Sequence, residues 1–248
     1  MLKTRNAVLL VLLGTVLTTW AIGLIPFNKL PVSSFWQVLA SRSISTISSL
    51  ILIGLFCPVA FRRFKGRLMS RRFVIGLAIV AYLQLPGLIH SSVFSVSLRH
   101  LLEGLVFSMF IGIDEEFFSR GLIFGALEGF GVGIAAAISS IHFGLLHLGN
   151  FFWGGQSLTF TLGQALSAAS FGYLACGLML FTGSIWAPVL MHGIADLPMQ
   201  FFSNAQFTKE VTGGADWIGV IVESAIFILI GWILIRLSRA NKTLTFQR

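Results

Sequence analysis

Charge is what this chain has least of. Of its 248 residues only 10% are Asp, Glu, Lys or Arg, and nine are acidic, against 56% hydrophobic residues and a mean hydropathy of +0.89. Soluble domains carry about 25% charged residues, so a soluble globule of this length would lack its polar coat. Disorder is excluded by the same figures, because a disordered chain needs low hydrophobicity and high charge. Cysteine is scarcer still, with two residues. Cys57 and Cys176 both lie in apolar runs, where cysteine behaves as a small buried hydrophobe, and this rules out a disulfide scaffold. What remains is an all-α polytopic membrane protein.

The net charge of +8 does not mark a nucleic-acid binder. Six basic residues fall between Arg62 and Arg72, and Arg236, Arg239, Lys242 and Arg248 follow the last apolar run. Clusters at the ends of apolar segments are the product of the positive-inside rule. They also suit contact with the anionic headgroups of the bilayer. No aromatic–basic nucleic-acid motif accompanies them.

A helical span needs about 20 mostly apolar residues. Such runs occur near 7–26, 43–61, 73–91, 101–127, 131–149, 158–182, 184–202 and 216–235, which predicts eight spans. The seventh is the weakest, because it is short and holds Pro188, His192, Asp196 and Pro198. The first reads as a retained helix rather than a signal peptide, being long for an h-region and lacking an A-x-A-like site. With both termini cytoplasmic, thirteen of the seventeen basic residues lie inside; Lys29, Arg42, Arg99 and Lys209 lie on the other side or at its edge. There is no repeat and no separate soluble domain, so residues 1–248 form one membrane unit. Short loops and the lack of a long extension point to a prokaryotic cytoplasmic membrane.

Ionisable residues inside spans are costly and need a partner or a task. They gather on three spans. The fourth carries Asp114, Glu115, Glu116 and Arg120, the fifth His142 and His147, and the seventh His192 and Asp196. Glu116 and Arg120 are four residues apart and can pair on one face. Glu115, about 100° round the helix, is left to face a neighbour. His192 and Asp196, also four apart, can point into one cavity. A rise of about 1.5 Å per residue puts Glu115 about 21 Å and His147 about 26 Å from the turn between their spans, at similar depth. His142 does not share a face with His147 and reads as structural. Glu103, Glu223 and His90 show no evident partner.

A carboxylate and a neutral imidazole can take a proton from water and produce a nucleophile. A second imidazole with a polar neighbour can stabilise the oxyanion that follows. Such a set hydrolyses a peptide bond without a covalent enzyme intermediate. There is no H-E-x-x-H zinc helix and no G-x-S-x-G elbow, and nothing marks Ser139, Ser140 or Ser167 as an activated nucleophile.

Three short patterns occur in order on these spans: Glu115-Glu116-Phe117-Phe118-Ser119-Arg120, Phe143-Gly144-Leu145-Leu146-His147, and His192-Gly193-Ile194-Ala195-Asp196. Together they resemble the E-E-x-x-x-R, F-x-x-x-H and H-x-x-x-N/D motifs of the CAAX protease and bacteriocin-processing family, the type II CAAX prenyl endopeptidase-like intramembrane proteases. The resemblance spans about residues 110–197. It implies an eight-helix, glutamate-dependent endopeptidase acting on a membrane-associated protein or peptide. By position it makes Glu115 and His147 the water-activating pair and His192 and Asp196 the oxyanion pair. Glu116, Arg120 and Phe143 would support them. An ionised Asp196 cannot donate a hydrogen bond as an asparagine amide does, so it must be protonated or orient His192. A zinc site on Glu115, His147, His192 and Asp196 is the alternative to the preferred cofactor-free reading. Two other roles fit the residues: an immunity or regulatory protein that binds another membrane protein without cleaving it, and a transporter using the same groups as a proton relay.

Overall fold

The computed structural model describes residues 4–21, 24–29, 31–66, 68, 70–90, 96–201 and 215–245. Every regular element among them is helical. In chain order these are α1 (Thr4–Thr15, continued by a π turn Val16–Ala21), α2 (Ser34–Phe56), α3 (Arg71–His90) and α4 (Leu98–Glu116, continued by a π segment Phe117–Ile123). There follow α5 (Phe124–Leu127), α6 (Val132–Leu146), α7 (Gly149–Phe152), α8 (Leu158–Thr182), α9 (Trp186–Asp196) and α10 (Trp217–Thr245).

Among the described residues four stretches are long and apolar enough to cross a membrane: Ser34–Phe56, Val132–Phe152, Leu158–Thr182 and Trp217–Ala240. The sequence predicts eight, and the difference has a physical reason. Helix α4 carries Arg99, Glu103, Asp114, Glu115 and Glu116 in its 19 residues, while α9 is only 11 residues long. Helix α4 thus falls short by its charge and α9 by its length, as does the 12-residue α1, whereas Val132–Phe152, which bears His142 and His147, qualifies. Boundaries moved as well: α2 begins nine residues before the expected 43 and α9 ends six before the expected 202.

Local chemistry sets these ends. Ser97 and Ser157 cap α4 and α8, each hydroxyl accepting a backbone N–H three residues on (His100 at 3.3 Å, Phe160 at 3.2 Å). Helix α8 stops at Gly183, whose φ of 71° is the left-handed conformation that glycine adopts without Cβ strain. Packing then relies on backbone contact. Helix α8 lies between α6 and α10, and α9 lies on α4. A Cβ on Gly177 would stand 2.7 Å from the Gly231 carbonyl oxygen, and one on Gly112 would stand 2.8 Å from that of Val189. Close approach of this kind holds helices together where lipid supplies no hydrophobic drive.

The densest packing surrounds the π segment. Phe117 to Ile123 are all buried, and Phe117, Phe118, Leu122 and Ile123 form one core with Ile53, Ile185 and Val189. A π turn frees carbonyls from the usual ladder. The hydroxyl of Ser139 on α6 donates to one of them, Ser119 O, at 2.8 Å.

Candidate active site

Adjacent residues on a helix point about 100° apart, so the Glu115–Glu116 pair at the end of α4 serves two different surroundings. Glu116 turns inward. Its side chain and that of Arg120 are both fully buried, with Arg120 Nη1 3.2 Å from Glu116 Oε1. The guanidinium carbon sits 4.7 Å from the centre of the Phe143 ring. The guanidinium nitrogens and Glu116 Oε2 have no well-aligned hydrogen bond among the described residues. Charge attraction and the aromatic face therefore hold this pair.

His192 docks on the same carboxylate. A carboxylate only accepts, so His192 Nδ1–H donates to Glu116 Oε1 at 2.9 Å. Edge contacts with Phe143 and Phe171, at 5.7 and 5.3 Å between ring centres, fix the plane of the imidazole. Its Nε2 then lies 3.6 Å from both Glu115 Oε2 and Asp196 Oδ2. Three carboxylates thus surround one histidine. His147, at the C-terminal end of α6, donates from Nδ1 to the Phe143 carbonyl at 3.0 Å. That bond defines the tautomer of the neutral ring and leaves Nε2 with the lone pair.

Glu115 does not stand free, as its sequence position suggests. Arg42 of α2 donates from Nη1 to Glu115 Oε1 at 3.0 Å and to Asp114 Oδ2 at 3.1 Å. The expected span starting at 43 puts Arg42 at the membrane edge or beyond it; it lies two turns into α2. The available signal was local: Arg42 is the only charged residue in Ser34–Phe56, and an unpaired charge there demands a carboxylate.

Glu115, His147, His192 and Asp196 all line a cavity of about 860 Å³, together with Arg42 and Asp114. A second cavity of about 240 Å³ adjoins it; Phe143, His147, Gln164, His192 and Asp196 line both. Gln164 accepts a hydrogen bond from Asn150 Nδ2 at 2.9 Å at this junction.

The remaining residues singled out in the sequence lie outside the larger cavity. His142 pairs through Nε2 with the Thr15 hydroxyl at 2.9 Å, which ties α6 to α1. Ser140 donates to its own helix at the Ala136 carbonyl. Two acids without an evident sequence partner have one: Glu103 pairs with Arg99 at 2.9 Å, and Glu223 accepts from the Ser167 hydroxyl at 2.6 Å. The side chain of His90 lies outside the described residues.

The zinc alternative meets a geometric test here. Among the described residues, no three His, Cys, Asp or Glu side chains converge closely enough to hold a metal ion. Glu115, His147, His192 and Asp196 border one cavity.

No curated protein and no solved structure is significantly similar to the chain. The stretch from α4 through α9 that builds the site is another matter: residues 97–198 match the Rce1-like family of type II CAAX prenyl endopeptidases, the family that the three motifs resemble.

Proposed function

We propose that this protein is a glutamate-type intramembrane endopeptidase that hydrolyses a peptide bond in a membrane-associated protein or peptide. The family match supports a membrane endopeptidase, and the four apolar helices support an integral membrane protein. One observation carries the finer reading: Glu115 and two histidines with differently committed ring nitrogens line one cavity.

In this mechanism a water between Glu115 and His147 loses a proton to them as its oxygen attacks the scissile carbonyl carbon. The Nδ1–H bond to Phe143 makes Nε2 of His147 the accepting atom. Arg42 holds the Glu115 carboxylate in place. The carbonyl oxygen becomes an oxyanion, which His192 stabilises by donating from Nε2. The ring donates there only when it carries both protons, and Glu115, Glu116 and Asp196 surround that cation with negative charge. This gives Asp196 a task without an amide: it orients and balances His192. The C–N bond breaks as the stored proton passes to the leaving amine. Glu116 and Arg120, fully buried, position His192 without touching substrate, and Phe143 holds the ring from the cavity wall. Eight spans with both termini cytoplasmic complete the proposal.

The test is cleavage of quenched-fluorescent membrane peptides by the purified chain in detergent. Wild type is compared with Glu115→Ala and His147→Ala, each with and without chelator. Cleavage lost in both variants and insensitive to chelator is the expected result. Chelator-sensitive cleavage restored by zinc would replace this mechanism by a metal one. Well-folded variants that keep the cellular effect of the protein would replace catalysis by the binding role.

A further inference from the structure

Glu223 breaks a rule that the other described glutamates obey. Glu103, Glu115, Glu116 and Glu128 each pair with an arginine: Arg99, Arg42, Arg120 and Arg63 respectively. Among the described residues Glu223 pairs with none. It is the only acidic residue of α10, which carries the most apolar of the four spanning stretches, and it is exposed rather than sealed in the packing. Its partner is the neutral Ser167 hydroxyl, which donates one hydrogen bond and supplies no charge.

The carboxylate lines the smaller cavity, whose walls include Gln84 of α3, Ser167 and Phe171 of α8, Ala195 of α9 and Phe227 of α10 besides the Asp196 carboxylate and the His147 and His192 imidazoles. Among the described residues no lysine or arginine lines it. Phe171 and Phe227 stand edge to face with ring centres 6.0 Å apart. The pocket therefore offers aromatic walls and an anionic group. That combination complements a long apolar stem ending in a cation, since lysine and arginine lay their methylenes on apolar surface and carry the charge at the tip. The cavity also adjoins the reacting groups through His147, His192 and Asp196.

We propose that the smaller cavity is a specificity pocket for a lysine or arginine side chain of the substrate, received by Glu223. The assignment rests on the endopeptidase reading for its biological sense but not for its test. Binding is measured with the full chain in neutral detergent, as the Glu115→Gln variant so that no turnover intervenes. The probes are fluorescent Leu/Ala peptides carrying a single lysine at successive positions, each against the same peptide with methionine there. A charge-assisted hydrogen bond predicts about tenfold to a hundredfold tighter binding of the best lysine peptide. Adding Glu223→Gln should abolish the preference, and Glu223→Asp should keep part of it. Equal affinity for lysine and methionine peptides at every position, or a preference that survives Glu223→Gln, overturns the pocket. Hydrolysis of the same peptides by wild type is scored separately: lysine-selective binding without hydrolysis of any peptide counts against the endopeptidase and leaves the pocket standing.

Discussion

Removing Arg120 should cost far more than any surface change in this protein, and restoring electrical balance should recover much of the loss. Arg120 and Glu116 are fully buried, 3.2 Å apart, with the guanidinium against the Phe143 ring. Arg120→Met keeps roughly the volume but leaves Glu116 with only the His192 Nδ1–H bond. Breaking one side of a buried pair costs about 3–5 kcal/mol, because the surviving charge stays desolvated. For a chain of this size 1 kcal/mol corresponds to about 2–4 °C of melting temperature, so the variant should melt roughly 6–20 °C below wild type. Glu116→Gln combined with Arg120→Met removes both charges. The double variant should then melt well above Arg120→Met alone, with a coupling of about 2 kcal/mol or more, within the range for contacting residues. The assay is thermal unfolding of the detergent-purified protein, followed by tryptophan fluorescence and read as a double-mutant cycle. Additive losses, or an Arg120→Met variant within about 1 kcal/mol of wild type, would refute the claim that this pair is a buried charge couple.

Arg42→Ala should lower kcat about tenfold to a hundredfold with little change in KM, the equivalent of one charge-assisted hydrogen bond to Glu115, and Arg42→Lys should restore part of it; steady-state peptide cleavage reads this. His142→Ala should keep cleavage activity and lose about 1 kcal/mol of stability, the net worth of its bond to Thr15, whereas His147→Ala abolishes cleavage in the same assay. Gly177→Ala places its Cβ 2.7 Å from the Gly231 carbonyl oxygen and should destabilise the α8–α10 contact by about 1–3 kcal/mol, seen as a lowered melting temperature.

Much of this protein was legible before any coordinates. The shortage of charge and the long apolar runs require helices in lipid, since a backbone there must satisfy its own hydrogen bonds. The Glu116–Arg120 pair follows from helical spacing alone, and so does the joint placement of His192 and Asp196 on one face. What escaped depended on where helices start. A span taken from residue 43 leaves Arg42 at or beyond the membrane edge; the helix that begins at Ser34 carries it to Asp114 and Glu115. Glu223 shows the converse. Its partner Ser167 is 56 residues away on α8, and no spacing rule within one helix could have found it.

Local rules thus determined the membrane class, the helical elements and the set of ionisable residues that need partners, because hydropathy and i,i+4 geometry act over a few turns of one chain segment. The tertiary structure alone decided which carboxylate meets which base. Glu115 and Glu116 are neighbours in sequence, yet one faces Arg42 and the cavity while the other is sealed with Arg120 and His192. That division rests on how α2, α4 and α9 pack around a π segment, and packing between helices distant in sequence is a property of the whole fold.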